Sequence, residues 1–173
     1  MSRKRTIAVI GKGTLSRDDP LYQTAFEIGK AVIDHGFRLI TGGLGGVMEA
    51  ASKGARSSKR WRDGDIIGIL PGGSAEDANQ YVDVPIPTGL GIARNTMVTN
   101  ADGIIAVGGG AGTLSEIAFS WQKGKPIVSL RVPGWSGELS DRAVDDRHPE
   151  RIIRGVDGAE EAVKELSRSM RDR

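Results

Sequence analysis

The chain of 173 residues contains no cysteine. That excludes disulfides, thiolate metal sites and a cysteine nucleophile. Histidine is almost as scarce, with only His35 and His148, too few for a histidine-built metal centre. His35, near the end of a helical pattern, reads as a capping or surface residue. Aromatic residues make up 5%, which leaves little with which to stack single-stranded nucleic acid. Charge is nearly balanced: 24 Lys and Arg face 22 Asp and Glu, a net +2, so no strong field awaits a polyanion. The basic clusters at Arg3, Lys4 and Arg5, at Lys59, Arg60 and Arg62, and at Arg168, Arg171 and Arg173 read as solvated surface. No apolar run approaches the roughly 18 residues of a membrane span, and no h-region follows the basic N-terminus. The expectation is one cytoplasmic domain over residues 1–173, with no metal and no membrane partner.

Glycine, by contrast, is abundant at 25 residues. The run Gly108-Gly109-Gly110-Ala111-Gly112-Thr113-Leu114-Ser115-Glu116 lies between the apolar strand pattern 102–107 and a helical pattern from Ile117. Such a turn leaves backbone N–H groups uncovered and can curl around an anion. The following helix aims its unpaired N–H groups and positive dipole end at the same point. The run reads as a phosphate site, with Gly109, Gly110, Gly112 and Thr113 as its floor and Glu116 at its edge in the first helical turn. A second turn of this kind, Thr41-Gly42-Gly43-Leu44-Gly45-Gly46, joins the strand 37–40 to a helix from Val47. Gly42, Gly43, Gly45 and Gly46 are expected beside the first turn, so that two helix N-termini converge on one ligand, or one takes a phosphate and the other a sugar or base face.

The first strand, 6–10, ends at Gly11-Lys12-Gly13. This is not a GxGxxG fingerprint, and no acidic residue closes the second strand, so an ordinary dinucleotide site is disfavoured. Gly11 and Lys12 are candidates for a phosphate contact. Asp19-Pro20 reads as an N-cap and first helical residue. Tyr81–Ile86 reads as an edge strand because of its prolines, Ile92–Asn100 as a helix carrying Arg94 and Asn95 at the ligand edge, and 131–150 as a long loop. Arg94 offers a planar fork of donors suited to phosphate. Strands alternate with helices throughout, which predicts an α/β fold: one doubly wound, Rossmann-like domain with a mostly parallel sheet.

Gly109-Gly110-Ala111-Gly112-Thr113-Leu114-Ser115-Glu116 resembles the PGGxGTxxE signature of the LOG family, and Thr41–Met48 resembles that family's earlier glycine turn. The resemblance runs from about Thr6 to Leu130. LOG proteins are phosphoribohydrolases that release the base from a cytokinin riboside 5′-monophosphate, and they are usually dimers. The resemblance implies a catalytic Glu116, phosphate on the glycines and Thr113, and an assisting Arg from an Arg-Lys pair. Here the opening Pro is Gly108. Counted back from Asp102 without gaps, the pair's positions hold Ala93 and Arg94. The Arg-Asn-Thr run and the triple glycine look more like a sister group that includes the molybdenum cofactor carriers, which hold a pterin phosphate without turning it over. More distant, DprA/Smf-related proteins bind single-stranded DNA. The expected function is therefore binding of a phosphorylated small molecule, a nucleoside monophosphate or a molybdopterin-type cofactor, by a homodimer or higher homo-oligomer. The alternative is nucleoside 5′-monophosphate hydrolysis using Glu116 and Arg94.

Overall fold

The computed structural model describes residues 3–171; Arg173 of the terminal basic cluster lies outside them. Short runs of branched apolar residues make the strands. They are β1 (Thr6–Gly11), β2 (Arg38–Thr41), β3 (Ile66–Leu70), β4 (Val84–Pro87), β5 (Gly103–Val107), β6 (Ile127–Leu130) and β7 (Arg154–Val156). They form one seven-stranded sheet in the order β4-β3-β2-β1-β5-β6-β7. Every pairing is parallel, so the sheet is wholly rather than mostly parallel. The strand order reverses between β1 and β5. At such a switch point the outgoing loops diverge and leave a crevice at the carboxyl edge.

Helices cover both faces. α1 (Pro20–Asp34), α2 (Val47–Ser57) and α6 (Ala159–Arg171) pack on one side. α3 (Asn95–Val98), α4 (Ala111–Gln122) and α5 (Trp135–Glu138) contribute to the other. Asp19 caps α1, accepting the Leu21 N–H at 2.9 Å, and Pro20 opens it. Its buried stripe of Tyr22, Ala25, Ile28 and Val32 packs into the larger of two cores with Ile7, Val9 and Leu39. The second core gathers Ile10, Ile104, Ile117 and Trp121 on the opposite face. Burial of both faces explains why the strands are continuous apolar runs rather than alternating ones. β4 lies at the sheet's edge, as its prolines require, but spans Val84–Pro87 rather than Tyr81–Ile86.

Two further stretches differ from expectation. The helix expected over Ile92–Asn100 is a tight 3-10 turn, Gly91–Arg94, followed by the single turn of α3. The stretch 131–150 is not all loop, since it contains α5.

Candidate functional site

The crevice at the switch point is a cavity of about 210 Å³. Gly11 and Gly13 from the β1 turn form one wall, Gly42 and Met48 from the β2 turn another, and Gly110, Gly112, Thr113 and Glu116 a third. Arg94 and Asn95, where the 3-10 turn meets α3, complete it. Chain segments separated by about a hundred residues thus meet because parallel strands all deliver their loops to one edge.

The α4 turn presents its backbone to this space. α4 has no side-chain cap: its N-cap is Gly110. The first-turn N–H groups of a helix have no intrahelical acceptor, and here the ligand edge is where they open. The turn is held from behind by α5, from the stretch expected to be a loop. Trp135 and Ser136 donate their N–H groups to the carbonyls of Gly109 and Gly108, at 3.0 and 3.1 Å. The Gly108 N–H donates to Ser136 Oγ at 2.7 Å, and that hydroxyl donates to the Leu130 carbonyl at 2.8 Å. Ser136 is fully buried. With the Gly108 and Gly109 carbonyls tied backwards, the following amides are left to the cavity. Asn95 steadies the other side: its Nδ2 donates to Ser115 Oγ, which donates to the Gly112 carbonyl.

The second glycine turn is used differently. The Val47 N–H, at the start of α2, donates to the Lys12 carbonyl at 2.9 Å, so one N–H group of this helix end is used within the protein. Gly46, at φ 63°, lies against Gly13, and Gly43 against the Leu70 side chain. Asn79 donates to the carbonyls of Gly43 and Leu44. Of this turn, Gly42 reaches the cavity, joined by Met48 from α2; Gly43, Gly45 and Gly46 shape the turn behind it. The two glycine turns thus meet at one cavity, α4 through Gly110, Gly112 and Thr113 and the other turn through Gly42 and Met48. Lys12 faces away from this cavity, into a neighbouring one, and Gly109 packs under Thr113.

Arg94 and Glu116 are the charged groups of the cavity wall, and both are only 8% exposed. Nε and Nη1 of Arg94 are buried without a hydrogen-bond partner. Burial lowers the guanidinium's pKa, opposed by the charge of Glu116. Burial pushes Glu116 up to about 7, with Arg94 pulling the other way. Glu116 stands in the second turn of α4, not the first, since the helix begins at Ala111. Its distance from the helix end weakens the dipole's help to its charged form. Ala93, at the position of the LOG family's Arg, is exposed; the inward arginine is Arg94. A buried cation with idle donors, lining one cavity with an uncapped helix end, has the chemistry to receive an anion.

Residues 4–163 match the SLOG cluster4 family. The fold superposes on a molybdenum cofactor binding protein from Rippkaea orientalis with a TM-score of 0.82 and 33% identity, covering 98% of this chain and 99% of the other. The molybdenum cofactor carrier protein of Chlamydomonas reinhardtii aligns with a TM-score of 0.77 and 30% identity, over 96% and 98% of the two chains. Cytokinin riboside 5′-monophosphate phosphoribohydrolase LOG7 of Arabidopsis thaliana is 28% identical, over 89% of this chain and 77% of its own. The chain belongs to the SLOG cluster4 family.

Proposed function

We propose that the cavity binds the phosphate of a small ligand, a molybdopterin-type cofactor or a nucleoside monophosphate, and holds it without turnover. The observation that carries this reading is Arg94. A guanidinium buried without partners on Nε and Nη1 costs the apo protein stability, and a phosphate on the α4 N–H groups would return both its charge and its hydrogen bonds. The likeness to cofactor-binding carriers supports the pterin branch of the reading. Isothermal titration of the purified protein with ribose 5-phosphate, nucleoside monophosphates and 6-hydroxymethylpterin phosphate tests it. Saturable binding that Arg94→Met removes is expected. The absence of binding by all of these probes would overturn it.

A second reading, hydrolysis of the N-glycosidic bond, rests on Glu116. A carboxyl with a pKa of about 7 beside the cavity can hand its proton to a departing base nitrogen as the C–N bond breaks, and the carboxylate so formed can take back the proton released when water adds to the sugar's anomeric carbon. Incubation with AMP decides between the two: adenine release that Glu116→Gln abolishes favours the hydrolase, and equal background release favours the binder.

The homo-oligomer belongs to the same proposal. Leu90 and Ile92, 52% and 90% exposed, are set on the turn that leads into Arg94. Light scattering of Ile92→Glu, expected to give a smaller species than the parent chain, tests it.

A further inference from the structure

A second cavity, of about 320 Å³, lies behind the β1 turn. Its walls are apolar: Pro20 and Leu21 at the start of α1, Val132 and Pro133 after β6. Its polar groups are Lys12, Asp19 and, on the next turn of α1, Thr24. The Lys12 ammonium makes no hydrogen bond or ion pair among the described residues. Asp19 Oδ1 accepts the Leu21 N–H and keeps a free lone pair; Oδ2 has no partner among the described residues.

This slot and the phosphate cavity share their boundary. Gly11 and Gly13 face the cavity while Lys12, between them, faces the slot. Gly110 lines the cavity, and Gly108 lies against Leu21 and the Pro133 carbonyl of the slot. The rim is bare: a β-carbon placed on Gly13 or on Gly110 would meet nothing within 4 Å. A ligand anchored by phosphate on α4 can therefore cross this rim with its other end in the slot.

We infer that the slot receives the heterocycle of the phosphorylated ligand, and that Asp19 and Lys12 select a 2-amino-4-oxo ring, the edge shared by pterins and guanine. That edge sets an amino group and a ring N–H side by side, a donor pair that a carboxylate accepts in parallel, with a carbonyl next to them for an ammonium. The apolar walls from α1 and the β6 loop accept the two faces of a flat ring. Adenine presents no such donor pair and leaves the carboxylate unmatched.

The inference rests on the phosphate reading above, and its test separates the two. Wild type, Asp19→Asn and Thr24→Phe are titrated with ribose 5-phosphate, AMP, GMP and 6-hydroxymethylpterin phosphate. Asn serves as an N-cap as well as Asp does, so the first variant keeps α1 while losing the charged acceptor; the second fills the slot from the helix surface. The expectation is that GMP and the pterin phosphate bind at least about tenfold tighter than AMP. Asp19→Asn should erase that preference, Thr24→Phe should weaken all three, and ribose 5-phosphate should bind all proteins alike. The pterin and guanine arms, compared with each other, identify which source of the edge is preferred. Equal affinity for AMP and GMP, or an unchanged preference in Asp19→Asn, overturns the slot assignment while leaving the phosphate site standing. Failure of every one of these probes to bind wild type overturns the phosphate reading instead.

Discussion

Nη1 of Arg94 occupies the place where a β-carbon on Gly42 would stand, with the Met48 sulfur 2.6 Å from the same point. Gly42 has no positive φ, so the backbone there would accept any residue. What the position demands is room for the guanidinium. Gly42→Ala should therefore fold normally and displace Arg94. The expected outcome is an unchanged melting temperature with affinity for ribose 5-phosphate reduced about tenfold to a hundredfold, read by calorimetric titration.

Arg94→Met is expected to separate stability from function. Methionine fills a similar volume without a charge to desolvate. Because Nε and Nη1 have no protein partners, little bonding is lost. The apo protein should gain about 1 kcal/mol in denaturant unfolding, while ligand binding disappears. A destabilised variant would show that the guanidinium is already satisfied in the apo protein.

Glu116 makes stability depend on pH in an unusual direction. Its pKa rises from the ordinary 4.5 to about 7 on folding, so between those values the folded state holds more protons than the unfolded one. Stability contributed by this group is present below pH 4.5 and lost as pH climbs through 7, by about 3 kcal/mol in all. Glu116→Gln should flatten that slope and unfold later than wild type at pH 8.

The same group ties ligand binding to protons. A bound phosphate next to Glu116 favours its neutral form, so binding near pH 7 takes up a proton and weakens as pH rises further. Titration in buffers of different ionisation heat should reveal this uptake. It should vanish in Glu116→Gln.

Ser136→Ala removes the hydroxyl that accepts from Gly108 and donates to Leu130. Two buried backbone groups then lose a partner, at a cost of about 1–3 kcal/mol. Chemical denaturation should show that loss, and ribose 5-phosphate should bind more weakly because the turn is no longer held.

The order of strands and helices was legible because a wholly parallel sheet needs apolar runs separated by helices, and each connecting turn carries its own glycines. Asp19-Pro20 announced α1 through local capping chemistry alone. Glu116, Arg94 and the α4 turn stood out for the same local reason. The packing of the second turn did not, since it depends on the Lys12 carbonyl, 35 residues from Val47 in the chain, accepting the Val47 N–H. Ser136 and Asn79 gave no signal because a lone Ser or Asn in a polar stretch looks the same whether it is solvated or buttresses a backbone 28 or 36 residues away. The short α3 was read as a longer helix because apolar spacing cannot register that the preceding turn is wound as 3-10.

The buttress made by Trp135 and Ser136 has a consequence for how the protein matures. Every residue that lines the cavity is synthesised by residue 116, yet the piece that moulds the α4 turn emerges later. A nascent chain halted before Ser136 would own all its recognition chemistry on a slack turn. On the phosphate reading, competence to capture ligand would arrive late in biosynthesis, once β6 docks and brings α5 in behind the turn.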